Sequence, residues 1–282
     1  MSSVREFVAL LDVDEVATGR FVATSDAGDR GIVDGSQVLS QSMVAASKTS
    51  PGRSVRSARA TFLRTIAAGV DLEFDVHIVK AGRLMAFADV TCRQGERVCV
   101  RTQVVLDAPQ PDFIRHAASP TESTSPDAAI DRVMPMDGRT LRLDGVVDEN
   151  DPDEFGPPTL RAWLRYDAIP DRDDVRKALL AHFTGHLAIS TSLRAHRGVG
   201  TAQSHKSIST APIVISIAFH EPVTWTDWLL YEHDSTFAGA GMSFVRGGIY
   251  ASGRDLIASF SQEAMIRGLE AHELEIEESV RL

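Results

Sequence analysis

The sequence lacks most of what declares an extracellular, membrane or nucleic-acid-binding protein. Of its 282 residues only two are cysteine, Cys92 and Cys99, seven residues apart about a probable turn. That spacing suits neither a disulfide framework nor a zinc site, so the pair reads as apolar strand residues in a reducing compartment. No apolar run approaches the ~20 residues of a membrane span. The opening MSSVREFVALLDVDE turns acidic after a very short apolar stretch, so it has no signal-peptide core. A soluble, cytoplasmic chain is expected, with no membrane insertion. Positive charge is scarce as well: 29 Lys and Arg against 39 Asp and Glu, a net charge of −10. Such a chain repels nucleic acid, which is not expected as a partner. An anionic ligand would need a local basic patch. The densest is Arg53, Arg56, Arg59 and Arg64. What is present in normal supply is core material, at 43% hydrophobic residues.

Length allows one large domain or two ordinary ones. Residues 4–11 read as a short amphipathic helix, closed by the acidic cluster at 12–15, and residues 19–24 as a strand. Asp34 or Ser36 can cap a helix over 35–49, which Pro51-Gly52 terminates. Its small residues, Ser40, Ser42, Ala45, Ala46 and Ser47, suit close packing on a sheet. Four strands follow, at 55–64, 72–79, 84–93 and 97–107. Residues 108–131 are rich in Pro, Ser and Ala and read as a linker, and 144–158 as an acidic surface loop. The second half runs the same way: a strand at 160–166, a helix over 175–187, a polar loop, and strands at 213–220, 228–233, 242–250 and 256–266.

The likeness between the halves extends to detail. Met85-Ala-Phe87 opens a strand that turns at Gly95 and returns through Gln103. Met242-Ser-Phe244 opens one that turns at Gly253 and returns through Gln262. An internal duplication is therefore expected: 1–107 as the first unit, 108–131 as linker, and 132–282 as the second unit with an acidic C-terminal tail. The fold class is α+β, each repeat packing one helix on an antiparallel sheet.

Several segments, in this order and spacing, resemble the acyl-CoA thioesterase II (TesB-like) family of double hotdog proteins. Asp34-Gly-Ser-Gln-Val-Leu-Ser-Gln41 is similar to the segment that opens that family's first helix, and Ser57-Ala-Arg-Ala-Thr-Phe-Leu-Arg64 to the strand after it. Arg161-Ala-Trp-Leu-Arg165, Phe219-His-Glu-Pro222, Trp228-Leu-Leu-Tyr231, Phe244-Val-Arg-Gly247 and Ser261-Gln-Glu-Ala-Met-Ile-Arg267 continue the series. The resemblance covers residues 5–268. It implies two tandem hotdogs, an acyl-CoA substrate, hydrolysis to free CoA and a carboxylic acid, no cofactor and no metal. It also implies a homodimer or higher homo-oligomer, as do open sheet edges.

The resemblance also implies a water activated by Asp, Thr and Gln in the second half. Gln262 matches the Gln. The Thr position falls on Pro212, which has no hydroxyl, and the Asp beyond it on Val214; Thr210 is the nearest replacement. The helix Asp falls on Gly185 or His186, depending on the end from which it is counted. Neither is a carboxylate, but a neutral His186 can serve as general base. His182 and His186 share a helix face, with no third metal ligand evident in the sequence. The candidate catalytic set is thus Gln262, His186, Gly185 and Thr210. Arg59 and Arg64 are candidates for the CoA phosphates. Asp34, whose plainer role is a helix N-cap, is a further candidate at the substrate. Glu263 should point to the strand face opposite Gln262. The alternative function is an acyl-CoA-binding protein with a degenerate, inactive site. A dehydratase or hydratase would need an acidic partner for His186, and the sequence shows none.

Overall fold

A computed structural model describes residues 3–28, 31–220, 222–251 and 254–269. The expected turn at Gly253 and the acidic C-terminal tail lie outside the described residues. Helix α1 (Val4–Leu11) forms where expected, its first turn closed by reciprocal hydrogen bonds between Ser3 and Glu6. The first repeat continues with β1 (Asp14–Ala17), β2 (Arg20–Ala23), α2 (Gly35–Lys48), β3 (Ser54–Phe62), β4 (Leu72–Ala81), β5 (Met85–Gln94) and β6 (Arg97–Asp107). The second contains β7 (Ile130–Arg132), β8 (Arg139–Leu143), β9 (Thr159–Tyr166), α3 (Asp173–Phe183), α4 (Ala188–Leu193), β10 (Ile208–Phe219), β11 (Leu229–Gly239), β12 (Met242–Tyr250) and β13 (Leu256–Gly268).

Among the described residues, thirteen strands form one antiparallel sheet, in the order β1-β2-β4-β5-β6-β3-β10-β13-β12-β11-β9-β8-β7. Read outward from the centre, β3-β6-β5-β4-β2 matches β10-β13-β12-β11-β9. The expected duplication is therefore a property of the topology. The halves meet edge to edge where β3 pairs with β10, Arg59 opposite Ser216 and Ala60 opposite Ile215. Strand alternation decides the faces. Along β5, Ala86, Ala88, Val90 and Cys92 are buried on the helix side while Met85 and Phe87 look outward.

Helices α2 and α3 lie on the inner face and run antiparallel to each other. Ser36, at the start of α2, meets Gly185, just past the end of α3, while Ser40 donates to the Ala178 carbonyl at 2.7 Å. Every residue of α2 from Ser36 to Ala46 is buried, because the helix has sheet on one side and α3 on another. Its small side chains serve the helix-to-helix approach as well as the sheet. Lys177 ties α3 to the first repeat, donating to the Val55 carbonyl at 2.9 Å and to the Ser54 hydroxyl.

The second helix differs from expectation. It ends at Phe183, and the chain passes through Gly185 and a left-handed Leu187 (φ 59°) before α4 begins. The helical pattern expected over 175–187 merges the end of α3 with this turn, and α4 falls in what reads as a polar loop. Strands β1, β7 and β8 are also absent from the sequence reading. They are short and charged, and only pairing to a neighbour makes them strands. The 108–131 segment lies against the second repeat: Trp163 Nε1 donates to the Thr124 carbonyl at 3.1 Å and Arg142 to that of Pro126 at 2.8 Å.

A Cβ at position 185 would stand 2.7 Å from Ser36 Cβ. Gly185→Ala is therefore expected to destabilise the fold by about 1–3 kcal/mol through overpacking. In a double-mutant cycle read by urea unfolding, the cost should shrink when Ser36 is Gly. Strict additivity would show that the two helices do not meet there.

Candidate active site

The site forms where opposite ends of α2 and α3 come together. Asp34 caps α2: its Oδ1 accepts from the Ser36 amide at 2.8 Å and from the Ser36 hydroxyl at 2.6 Å. Its Oδ2 stands 3.9 Å from His186 Nε2. His186 in turn places Nδ1 3.1 Å from the His182 carbonyl. A carbonyl only accepts, so Nδ1 carries hydrogen. In the neutral ring the Nε2 lone pair then faces Asp34. The His182 ring lies one helical turn back, its centroid 4.7 Å from that of His186, and packs against Phe7 at 4.2 Å. Phe183 stacks on His186 at 5.1 Å.

The ionic state of Asp34 follows from this setting. Burial alone would raise its pKa, but His186, His182 and the Ser36 hydrogen bonds outweigh it and hold the carboxyl down at about 2. The helix ends act in the same sense. Asp34 sits at the positive end of α2, and the two histidines sit at the negative end of α3. A carboxylate so acidic is a poor proton acceptor at neutral pH. If this pair removes a proton from water, the imidazole accepts it and the carboxylate stabilises the imidazolium. The 3.9 Å gap is too long for a hydrogen bond.

Gln262 lies on the same inner face. It is paired across β13–β10 with Ile215, whose Cδ1 is 3.3 Å from where a Cβ on Gly185 would be. The residue is 1% exposed, yet neither amide atom has a hydrogen-bond partner. Buried amides are almost always satisfied, so the Gln262 amide stands out as a donor and acceptor available on the inner face. Glu263 points outward, as strand alternation requires, and pairs with Arg59 at 3.2 Å.

Several expected site residues stand elsewhere. Arg59 is on the outer face, in a groove of about 450 Å³ with Ser216 and Ser261, and the sheet separates it from Asp34, His186 and Gln262. Arg64, just past β3, donates to the Val98 carbonyl at 2.7 Å. It follows Phe62, whose ring lies under Gly35 at the head of α2, and so belongs to the same end of the sheet as Asp34. Gly185 contributes close approach and no chemistry; a carboxylate there would collide with Ser36. Thr210 bonds Ser204 at 3.0 Å and lies opposite Ile266, four residues and about 13 Å along β13 from Gln262. Pro212 does face the site, opposite Ala264, because a bulge at Ile213 shifts the register. The hydroxyls in the cross-strand row of Gln262 are instead those of Ser235 and, bonded to it at 3.0 Å, Ser192 of α4.

Three polar groups were not singled out by the sequence. Arg139 lies over the Phe183 ring at 5.9 Å with Nε and Nη1 buried and unpartnered, and burial pushes its pKa down. The hydroxyl of its cross-strand neighbour Tyr166 is likewise buried without a partner. His233 is 2% exposed on β11, and neither ring nitrogen makes a hydrogen bond of good geometry. No local pattern marks these residues, since each depends on which strand it faces. The partnership of Asp34 with His186 is invisible for the same reason: they lie in different repeats.

A tandem pair of helix-on-sheet repeats, with a polar cluster between the helices, defines a double hotdog protein. The acyl-CoA thioesterase N-terminal domain family matches residues 23–106, and the acyl-CoA thioesterase C-terminal domain family matches residues 116–266. The chain belongs to the acyl-CoA thioesterase family, whose reaction is hydrolysis of an acyl-CoA thioester. It is 25% identical over 266 residues to acyl-CoA thioesterase 2 of Haemophilus influenzae, covering 86% of this chain and 90% of that one. It is 24% identical over 260 residues to acyl-coenzyme A thioesterase 8 of Mus musculus, covering 83% and 79%. Among solved structures, a tesB protein of Mycobacterium avium subspecies paratuberculosis superposes with a TM-score of 0.81 at 21% identity, covering 94% of this chain and 99% of that one. The acyl-CoA thioesterase II TesB2 of Mycobacterium marinum gives 0.74 at 20% identity, covering 94% and 98%. No helix among the described residues is long and apolar enough to cross a membrane.

His233 generates a pH prediction. Burial pushes its pKa from 6.5 down to about 4, with the Leu160 carbonyl opposing in part. Between pH 6.5 and 4 the unfolded chain binds a proton that the folded chain refuses. Its contribution is complete above pH 6.5, and about 3 kcal/mol is lost as pH falls to 4. Asp34 acts in a lower window: its depressed pKa stabilises above pH 3.8 and is lost towards 2. Urea unfolding from pH 7 to 4 should show the first slope, and His233→Leu should flatten it. An unchanged slope would assign the acid loss to other groups.

Proposed function

We propose that the chain hydrolyses acyl-CoA thioesters with a water held between Asp34 and His186. The observation that carries this reading is the meeting of Asp34 Oδ2 with His186 Nε2 at 3.9 Å, His186 being anchored through Nδ1. Nε2 takes a proton from the water as its oxygen bonds to the thioester carbon. The resulting oxyanion is met by the amide of Gln262, which has no partner within the protein. The C–S bond then breaks, and the imidazolium returns its proton to the CoA sulfur. The positive end of α2 favours both the Asp34 carboxylate and the developing oxyanion. Asp34 thus serves as the partner of His186. Arg64 remains the candidate for a CoA phosphate. The reading places the protein in a reducing cytoplasm, consistent with Cys92 and Cys99 both being free and buried.

Free-thiol release across short, medium and long acyl-CoAs tests the reaction. His186→Gln should lower kcat by about 10²–10⁴, as loss of a general base does. Gln262→Ala should lower it by about 10²–10³, with binding of a non-hydrolysable analogue held within a few-fold. Pro212, where the family's hydroxyl is missing, favours the second reading, an acyl-CoA binder without hydrolysis. Analogue binding with no thiol release at any chain length would establish that reading instead.

The same proposal includes a homodimer. The sheet edges β1 and β7 are only four and three residues long, a poor template for edge pairing. The outer face is better suited. Met85 and Phe87 of the first repeat and Phe237 and Phe244 of the second are 37–55% exposed on either side of the β3–β10 seam. Light scattering at micromolar concentration should give twice the chain mass, and Phe87→Ser with Phe244→Ser should give monomer. A wild-type monomer would contradict the dimer.

A further inference from the structure

We infer that Asp34, His182 and His186 form a binding site for one divalent ion of the zinc class. One ligand atom from each lies within 4.8 Å of the others, and the set joins the head of α2 to the end of α3. The sequence offers His182 and His186 four residues apart but no third ligand; the tertiary structure brings Asp34 from the other repeat. Two further observations point to a metal. His182 is 5% exposed, and the Asp34 and His186 side chains are 22% and 13% exposed, so the cluster is largely withdrawn from water. His186 sets Nδ1 against the His182 carbonyl at 3.1 Å, the kind of second contact that orients metal-binding imidazoles, and this turns Nε2 towards Asp34.

The donor set selects the ion. Two imidazole nitrogens and one carboxylate oxygen suit zinc, cobalt or nickel, whereas calcium and magnesium favour all-oxygen shells. Zn–N and Zn–O bonds of about 2.0–2.1 Å set ligand atoms about 3.4 Å apart on a tetrahedral ion. The 3.9 Å Asp34–His186 separation is close to that, and a pair at the 4.8 Å limit needs about 1.4 Å of closure. His186 lies in the turn after α3, beside Gly185, where a small side-chain rotation is local. Three protein ligands leave a fourth position for water. This site does not depend on the hydrolysis reading. It does compete with it, because the Nε2 lone pair serves either the ion or the water.

Cobalt reports the site directly. The full-length protein, dialysed against chelator, is titrated with Co²⁺ and followed by visible d–d absorption. The expected result is one equivalent with the intense bands of a four- or five-coordinate ion, displaced by one equivalent of Zn²⁺. Asp34→Asn and His182→Gln should each raise Kd on the order of a hundredfold. His77→Ala, which removes an exposed histidine on β4, should leave Kd unchanged. No such bands, or one-equivalent binding unmoved by both cluster variants, would overturn the inference. Should either variant fail to fold, histidine ring resonances of the wild type under Zn²⁺ titration decide. Shifts confined to His182 and His186 support the site, and shifts at other histidines with none at these refute it. Neither readout requires turnover, so failure of the metal site and failure of the hydrolysis reading are told apart.

Discussion

The structure depends on the approach of two antiparallel helices from different repeats. Ser36 against Gly185 and Ser40 against the Ala178 carbonyl bring the backbones of α2 and α3 close enough to exclude larger side chains. Once the helices are that close, the repeats cannot swing apart, and β3 and β10 are held at the spacing of neighbouring strands. A single thirteen-stranded sheet results in place of two separate ones. Buried Lys177 adds a polar clamp, with its ammonium shared among Asp173, Ser54 and the Val55 carbonyl. A buried ammonium is tolerated only when its hydrogen bonds are met in this way.

Antiparallel packing also sets the electrostatics. It puts the positive end of one helix beside the negative end of the other, so an anion and a cation acceptor are each favoured at the same point. Asp34 and the histidine pair occupy it. In the proposed site the carboxylate does not come from the second repeat. Asp34 enters from the first repeat, in a position where the local field holds it ionised. The break after Phe183 matters here as well. A continuous helix through 187 would carry His186 around the axis, whereas the turn at Gly185 keeps its ring against Phe183 and its Nε2 towards Asp34.

The sheet then divides the chemistry by face. Gln262, His233, Ser235 and Ile215 point inward to the helices. Glu263, Arg59, Ser216 and Ser261 point outward, away from the site. In the outward set Arg59 is joined to Glu263 by an ion pair and to Ser216 by a hydrogen bond. The inward set holds the buried polar groups without partners, Gln262 above all.

Local sequence determined a great deal. Apolar alternation and turn residues marked α1, α2 and most of the long strands to within a few residues, although β10 begins five residues before the expected 213 and β11 runs six residues past the expected 233. The repeated Met-x-Phe and Gln positions revealed the duplication, and strand parity put Gln262 and Glu263 on opposite faces. These are short-range properties, written in the order of side chains along one element. Only the tertiary structure decided the rest. Strands β1, β7 and β8 exist because a partner strand satisfies their backbone, and α3 stops where Ser36 leaves room for nothing larger than glycine. Arg59 lies on the face opposite Gln262 because β3 turns that side chain outward, and Thr210 is separated from Gln262 by its distance along the strand pair. Asp34 joined His186 across 152 residues of chain. No local pattern records that contact, because it depends on how the two repeats close against each other.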